Sequence, residues 1–168
     1  MLTWHDRSMR VTAKSEYAVR ACLHLAAVAE GSATAEAIAT SQQIPAKYLE
    51  NILGELRTAG LVRSRRGASG GYRLARPPSD IRLADVLRAV EGPLATVHGQ
   101  PAEELDYQPA VAALQQVWVA LRAAIRTVLE SVTIEDVVTG RLPPQVSALS
   151  ADPGSWESTA QRSARRRP

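Results

Sequence analysis

Apolar positions recur at steps of three and four from Thr12 to about Ala29, with Tyr17, Ala21, Leu25 and Val28 on one stripe. That spacing predicts a first helix, which Gly31 ends. Thr34 can cap a short second helix from Ala35 to about Thr40, with Glu36 in the first turn, where the helix dipole favours an acid. After a break at 41–44 (SQQI), Pro45 suits the first turn of a third helix over 46–59. Leu49, Ile52, Leu53 and Leu56 form its buried stripe, and Gly60 follows as a C-terminal stop. The pattern then switches to strands: 61–66 (LVRSRR) and 72–76 (YRLAR) flank the glycine turn 67–71 (GASGG), and Pro77 and Pro78 close the unit. A helix pair after a longer helix, followed at once by a hairpin, is the winged helix-turn-helix layout. The glycines do not make a phosphate loop, because no Gly-Lys-Ser/Thr follows and the next element is a strand.

A fourth helix is predicted over 83–91 (LADVLRAVE), ended by Gly92. Residues 92–108 lose periodicity and read as a long loop, a length usually reserved for function or mobility. From Pro109 to Val132 a helical pattern returns. Val111, Leu114, Trp118, Leu121, Ile125, Val128 and Val132 advance in alternating steps of three and four, a heptad seam. No second long helix exists to meet it, so the seam predicts the same helix of another copy and a two-fold homodimer. Thr133 and Asp136 make a capping box for a last helix over 134–139, stopped by Gly140. The expected fold is mainly α with a small β-hairpin wing: a winged helix-turn-helix domain plus a long dimerisation helix. Its parts are an arm or overcalled start at 1–8, the DNA-binding domain at 9–91, a sensor-type loop at 92–108, the dimerisation and terminal helices at 109–140, and a disordered tail at 141–168.

Composition narrows the class. A chain of 168 residues, 45% apolar and 22% charged, fits one soluble domain. Its single cysteine, Cys22, excludes an intrachain disulfide and any cysteine-held zinc or iron–sulfur site within one chain. There is no run of about 18 apolar residues to span a membrane, and no secretory signal pattern, so a cytoplasmic address is expected. The net charge of +3 is small but unevenly placed. Residues 1–91 carry 13 Lys/Arg against 9 Asp/Glu, whereas 92–150 carry 3 against 6. Residues 63–82 hold Arg63, Arg65, Arg66, Arg73, Arg76 and Arg82 against Asp80 alone. Arginine suits forked contacts to phosphate and guanine.

The stretches 44–53 (IPAKYLENIL), 56–63 (LRTAGLVR), 66–76 (RGASGGYRLAR), 84–92 (ADVLRAVEG) and 133–138 (TIEDVV) resemble the IscR/NsrR/CymR family of bacterial transcription regulators. So does the opening at 9–20 (MRVTAKSEYAVR), which suggests Met9 as the usual start. The resemblance implies a dimeric winged-helix regulator. In this fold the N-terminal residues of the second helix of the pair read the major groove: here Pro45, Ala46, Lys47, Tyr48, Glu50 and Asn51. By resemblance, Pro45, Ala46, Glu50 and Asn51 face bases, with Glu50 suited to cytosine and Asn51 to adenine. Tyr48 suits either a phosphate or packing within the unit. The wing candidates are Arg65, Arg66, Gly67, Gly70, Gly71 and Tyr72. Arg66 is aimed outward, and Gly70 and Gly71 open their backbone N–H groups to a phosphate. The resemblance adds Arg10, Thr12 and Lys14 as backbone contacts beside the first helix.

Many such relatives hold an iron–sulfur cluster with three cysteines in the loop before the long helix, and some add a His three residues before its Trp. Here the loop has no cysteine, and the His position is Gln115. Glu16 stands where some members place an acid near the partner's cluster. No metal or cofactor is therefore expected. His98, Glu103, Glu104 and Asp106 match no ligand frame, and Cys22 reads as buried and inert. A small organic effector near the loop, or a partner protein, is the expected signal. No nucleophile, paired-carboxylate or zinc-protease pattern argues for an enzyme. The rival reading is a dimeric protein-interaction module whose basic hairpin is only solvated.

Overall fold

A computed structural model describes residues 11–28, 31–65, 67 and 70–157. The mainly helical fold with a two-stranded wing agrees with the sequence. Seven helices are described: α1 (Ala13–Ala27), α2 (Ala35–Gln42), α3 (Ala46–Thr58), α4 (Leu83–Glu91), α5 (Ala113–Leu129), α6 (Ile134–Thr139) and α7 (Pro144–Ala151). The hairpin strands are β1 (Val62–Arg65) and β2 (Gly71–Leu74).

The helix starts follow local chemistry. The Thr12, Thr34 and Thr133 side chains accept from the backbone N–H groups of Ser15, Ala37 and Asp136. Each satisfies a donor that the helix itself leaves orphaned. The Asp136 carboxylate returns a bond to the Thr133 N–H at 2.8 Å, completing the expected capping box and holding the acid below the ordinary carboxylate range. The break between α2 and α3 is shorter than the expected 41–44. α2 runs to Gln42, and Gln43 turns the chain with a left-handed backbone (φ 53°). Ile44 then points inward and is buried.

α1 is the hub and packs on α2, α3, α4, α6 and β2. Its Ala18, Ala21, Cys22 and Leu25 meet Ile38, Leu49, Ile52, Leu53 and Leu56 in one core. The small side chains let several helices approach α1 closely, which is why its buried face is wider than a single stripe. Burying each Leu or Ile contributes about 1.5–3 kcal/mol. Cutting Leu53 to Ala should cost about 2–5 kcal/mol, because the site is closed on all sides.

The wing is antiparallel, with Val62 opposite Leu74, Arg63 opposite Arg73, and Arg65 opposite Gly71. β2 also bridges Ala33: the Ala33 N–H donates to the Tyr72 carbonyl (2.9 Å) and the Tyr72 N–H to Ala33 (2.7 Å). This stitch fixes the hairpin to the entry of α2. A Cβ on Gly71 would lie 2.6 Å from the Ala33 carbonyl oxygen, and its φ is +152°, so only glycine fits.

Three features differ from the sequence reading. The long helix is α5 alone, preceded by a 3-10 turn at Pro109–Val111 and finished by Leu129. Its length is therefore roughly 26 Å. Val132 lies beyond it and is buried, its carbonyl accepting from the Leu83 N–H at 2.9 Å. Val132 thus belongs to the core of the head rather than to the seam, because backbone pairing of 81–83 with 132–134 pulls it inward. The tail is not without regular structure. α7 begins at Pro144, a residue preset for a helix start, and a 3-10 turn follows at Pro153–Ser155.

Candidate nucleic-acid interface

α3 is amphipathic, and its two faces do different work. Leu49, Ile52, Leu53 and Leu56 are buried, while Pro45, Ala46, Lys47, Tyr48, Glu50 and Asn51 are all exposed. The six candidate reading residues therefore share one open end of one helix. Lys47 and Glu50 are 3.9 Å apart and 91% and 58% exposed, so their attraction is weak and both remain available. The Tyr48 ring meets Tyr17 edge-on at 6.0 Å, and the Arg20 guanidinium lies 5.9 Å from the Tyr17 ring centre. Arg20 also donates to the Gln42 carbonyl, capping the end of α2. This chain of contacts sets the angle of the helix pair and gives Tyr48 a packing role at its ring, with the side chain still partly open.

On the wing, strand alternation sorts the residues. Val62, Tyr72 and Leu74 turn toward the core, and Arg63, Arg65 and Arg73 turn outward. Arg63 and Arg73 stand directly opposite each other, a like-charge pairing that costs stability. Among the described residues, neither these two nor Arg65 has an ion pair or side-chain hydrogen bond in the chain. The wing therefore presents an exposed arginine face that no described residue neutralises. Arg63 and Arg73 were not among the sequence candidates; strand alternation and the pairing register single them out. Tyr72, a candidate, instead packs against the core. Gly70 uses its N–H for a tight turn to the Gly67 carbonyl (2.8 Å), and Gly71 is taken up by the approach to Ala33. Arg66 and Arg10 lie outside the described residues.

Thr12 and Lys14 are engaged within the head. Thr12 and Ser15 both donate to the Glu91 carboxylate. Lys14 donates to the Val90 carbonyl and pairs with Glu55, each at 2.8 Å. These bonds clasp α1 to α4 and α3.

The 92–108 segment lies against α5. The Gln115 amide donates to the carbonyls of Glu103 (3.1 Å) and Leu105 (2.9 Å), and the Trp118 N–H donates to the Tyr107 hydroxyl (3.0 Å). Arg122 pairs with Glu103. A hydrogen-bonded clasp thus stands along one edge of α5. Ala95 and His98 hold left-handed backbone at φ 54° and 51°, a conformation costly for residues other than glycine. Arg88 of α4 and Arg126 of α5 share the Glu130 carboxylate, which they hold below the ordinary glutamate range, Arg88 most strongly. α5 buries none of its residues, and its main contacts are the turn at Ala102–Glu104 and α4. Val111 and Leu114 are exposed, and Trp118, Leu121, Ile125 and Val128 are only half covered.

Comparison with known proteins agrees with this geometry. Residues 11–140 match the Rrf2 family, described as an iron-dependent transcriptional regulator. Rv1287 of Mycobacterium tuberculosis, classed with the HTH-type transcriptional regulators, is 48% identical over 158 residues, covering 94% of this chain and 98% of that protein. The HTH-type transcriptional regulator CymR of Bacillus subtilis is 36% identical over 133 residues, 78% of this chain and 91% of CymR. The solved structure of CymR, the global cysteine regulator of B. subtilis, superposes with a TM-score of 0.67 at 34% identity, over 79% of this chain and 98% of that one. That of IscR from T. potens gives 0.64 at 36% identity, over 79% and 88%.

Thiolate ligation of iron does not fit the residues present. Cys22 is the single cysteine of the chain and is fully buried, its thiol pushed up to about 12 by loss of solvent. A thiol that stays protonated is not a metal ligand. Among the described residues no three His, Cys, Asp or Glu side chains are grouped to hold a metal. Glu16 is occupied by Arg20 at 3.4 Å. None of the described helices is long and apolar enough to cross a membrane. With its exposed reading helix, its arginine wing and matched relatives along most of its length, the chain belongs to the Rrf2 family of helix-turn-helix, DNA-binding transcription regulators.

Proposed function

We propose that the protein is a homodimeric repressor that binds an inverted-repeat operator in the bacterial cytoplasm, without a cysteine-held iron–sulfur cluster. The observation that carries the dimer is α5, whose apolar seam is only partly covered within its own chain and buries none of its residues. A second α5 packed antiparallel or crossed against it would bury Leu114, Trp118, Leu121, Ile125 and Val128 from both copies. Two reading helices related by that two-fold would then enter successive major grooves, about 34 Å apart. Within each half-site, Glu50 and Asn51 are assigned to bases. Arg63, Arg65 and Arg73 are assigned to phosphates, which set affinity and register rather than sequence. The 92–108 segment, seated on α5, is where a signal would act.

Selection of bound genomic fragments by the purified protein, followed by light scattering of the complex, tests this reading. It predicts one enriched inverted repeat and two chains per site. A protein-interaction module would enrich no sequence, and a single chain per whole operator would overturn the dimer.

A further inference from the structure

Arg88, Arg122 and Arg126 converge on a cavity of about 280 Å³ between the end of α4, the 92–108 segment and α5. Pro93, Leu94 and Pro101 supply an apolar wall beside them. The resident partners of these guanidiniums are carboxylates: Glu103 on Arg122, and Glu130 on Arg88 and Arg126. Asp85 stands 4.0 Å from Arg88 but is the same distance from Arg76. Arg122 is the most enclosed of the three, its side chain 20% exposed, whereas its partner Glu103 is 56% exposed. Arg122 and Arg126 each spend one nitrogen on their carboxylate, and a guanidinium carries five N–H donors in a planar fork. The cavity therefore presents surplus donors, in carboxylate-matched geometry, next to hydrocarbon.

We propose that this cavity binds a small organic carboxylate, its carboxylate held by Arg122 and Arg126 and its carbon skeleton laid against Pro93, Leu94 and Pro101. The planar fork suits a carboxylate and a phosphate alike; the apolar wall of Pro93, Leu94 and Pro101 favours a ligand with a carbon skeleton over inorganic phosphate. A ligand carboxylate would take the place of the exposed Glu103 on Arg122. It would also draw Arg126 from Glu130, the residue that ties α5 to α4 through Arg88. Occupancy would thereby reset the junction between the reading head and α5.

The test is isothermal titration of the full chain with succinate, butyrate and inorganic phosphate. It uses no DNA, so its result is independent of the operator reading. Saturable binding of succinate or butyrate, one per chain, is expected. Arg122→Gln and Arg126→Gln should each weaken it about tenfold or more. Arg126 is half exposed, so its variant keeps the test open if Arg122→Gln fails to fold. Glu103→Gln removes the resident competitor and should tighten binding, which a purely structural role for the cluster would not do. No saturable carboxylate binding, phosphate bound as tightly as succinate, unchanged affinity in Arg126→Gln, or weaker binding in Glu103→Gln would each overturn the assignment.

Discussion

The reading head and α5 are built on opposite terms. In the head, α1 is enclosed by four helices and a strand, and every apolar stripe has a partner in the same chain. The two candidate DNA faces that the head leaves open, the start of α3 and the arginine face of the wing, are mainly polar or charged. α5 leaves open what a folded chain normally hides, an apolar seam with no buried residue. The head is thus complete as a fold and incomplete in charge, while the helix beside it is incomplete as a fold. On the function proposed above, the first deficit calls for a polyanion and the second for another apolar surface.

The comparison can be broken most severely at the seam. Leu121→Asp should leave the head folded, by circular dichroism, yet give a single chain in light scattering. Operator affinity should fall about a hundredfold with loss of the second reading helix. A variant that stays dimeric would remove α5 as the interface. A smaller effect is expected inside the head at Gly71→Ala. The new Cβ meets the Ala33 carbonyl, and urea unfolding should show a loss of about 2 kcal/mol.

The charge deficit is sharpened by replacing Arg63 and Arg73 together with Gln. Binding should weaken for all sequences, and the salt slope of log affinity should fall by about 4, two arginines being lost from each copy of the proposed dimer. The free protein should gain about 0.2–1 kcal/mol, because a like-charge pair has gone. Glu50→Ala should act at one base pair in each half-site, relaxing discrimination there by about 1–3 kcal/mol in a gel-shift panel of point-changed operators. The least effect is in acid. The Glu130 carboxyl titrates below its ordinary 4.5, first because Arg88 and then because Arg126 bonds the ionised form. Its contribution is present above that ordinary value and is lost as pH falls through the lowered one. Thermal unfolding followed from pH 6 to pH 3, both set by the experimenter, should show a small acid-side loss that Glu130→Gln lacks.

The parts legible in the sequence are those whose causes are local. Thr34, Thr133 and Asp136 announce helix starts because a cap and its donors are three residues apart. The stripe of α3 shows which side packs and which side stays open. Other features depend on distant partners. Thr12 and Lys14 are drawn into a clasp with residues 76–79 positions away, and no spacing rule reports that. Val132 continues the heptad arithmetic perfectly, yet backbone pairing with 81–83 captures it for the core. The Gln115–Trp118 clasp likewise joins α5 to a loop that has no period of its own. α7 lies in the Pro-, Ser- and Arg-rich stretch that composition marks as a disordered tail, although Pro144 opens a helix.

The stitch between Tyr72 and Ala33 has a consequence for how operators can vary. It binds the hairpin to the entry of α2, so α3 and the arginine face, the two proposed DNA contacts, are two prongs of one stamp. The distance between their footprints within a half-site is fixed by the covalent and hydrogen-bonded frame of a single head. In the proposed dimer the adjustable length is the spacer between half-sites, governed by how α5 would seat the two stamps. Natural operators and selected variants should therefore tolerate changes at the centre of the repeat far better than insertions inside either arm.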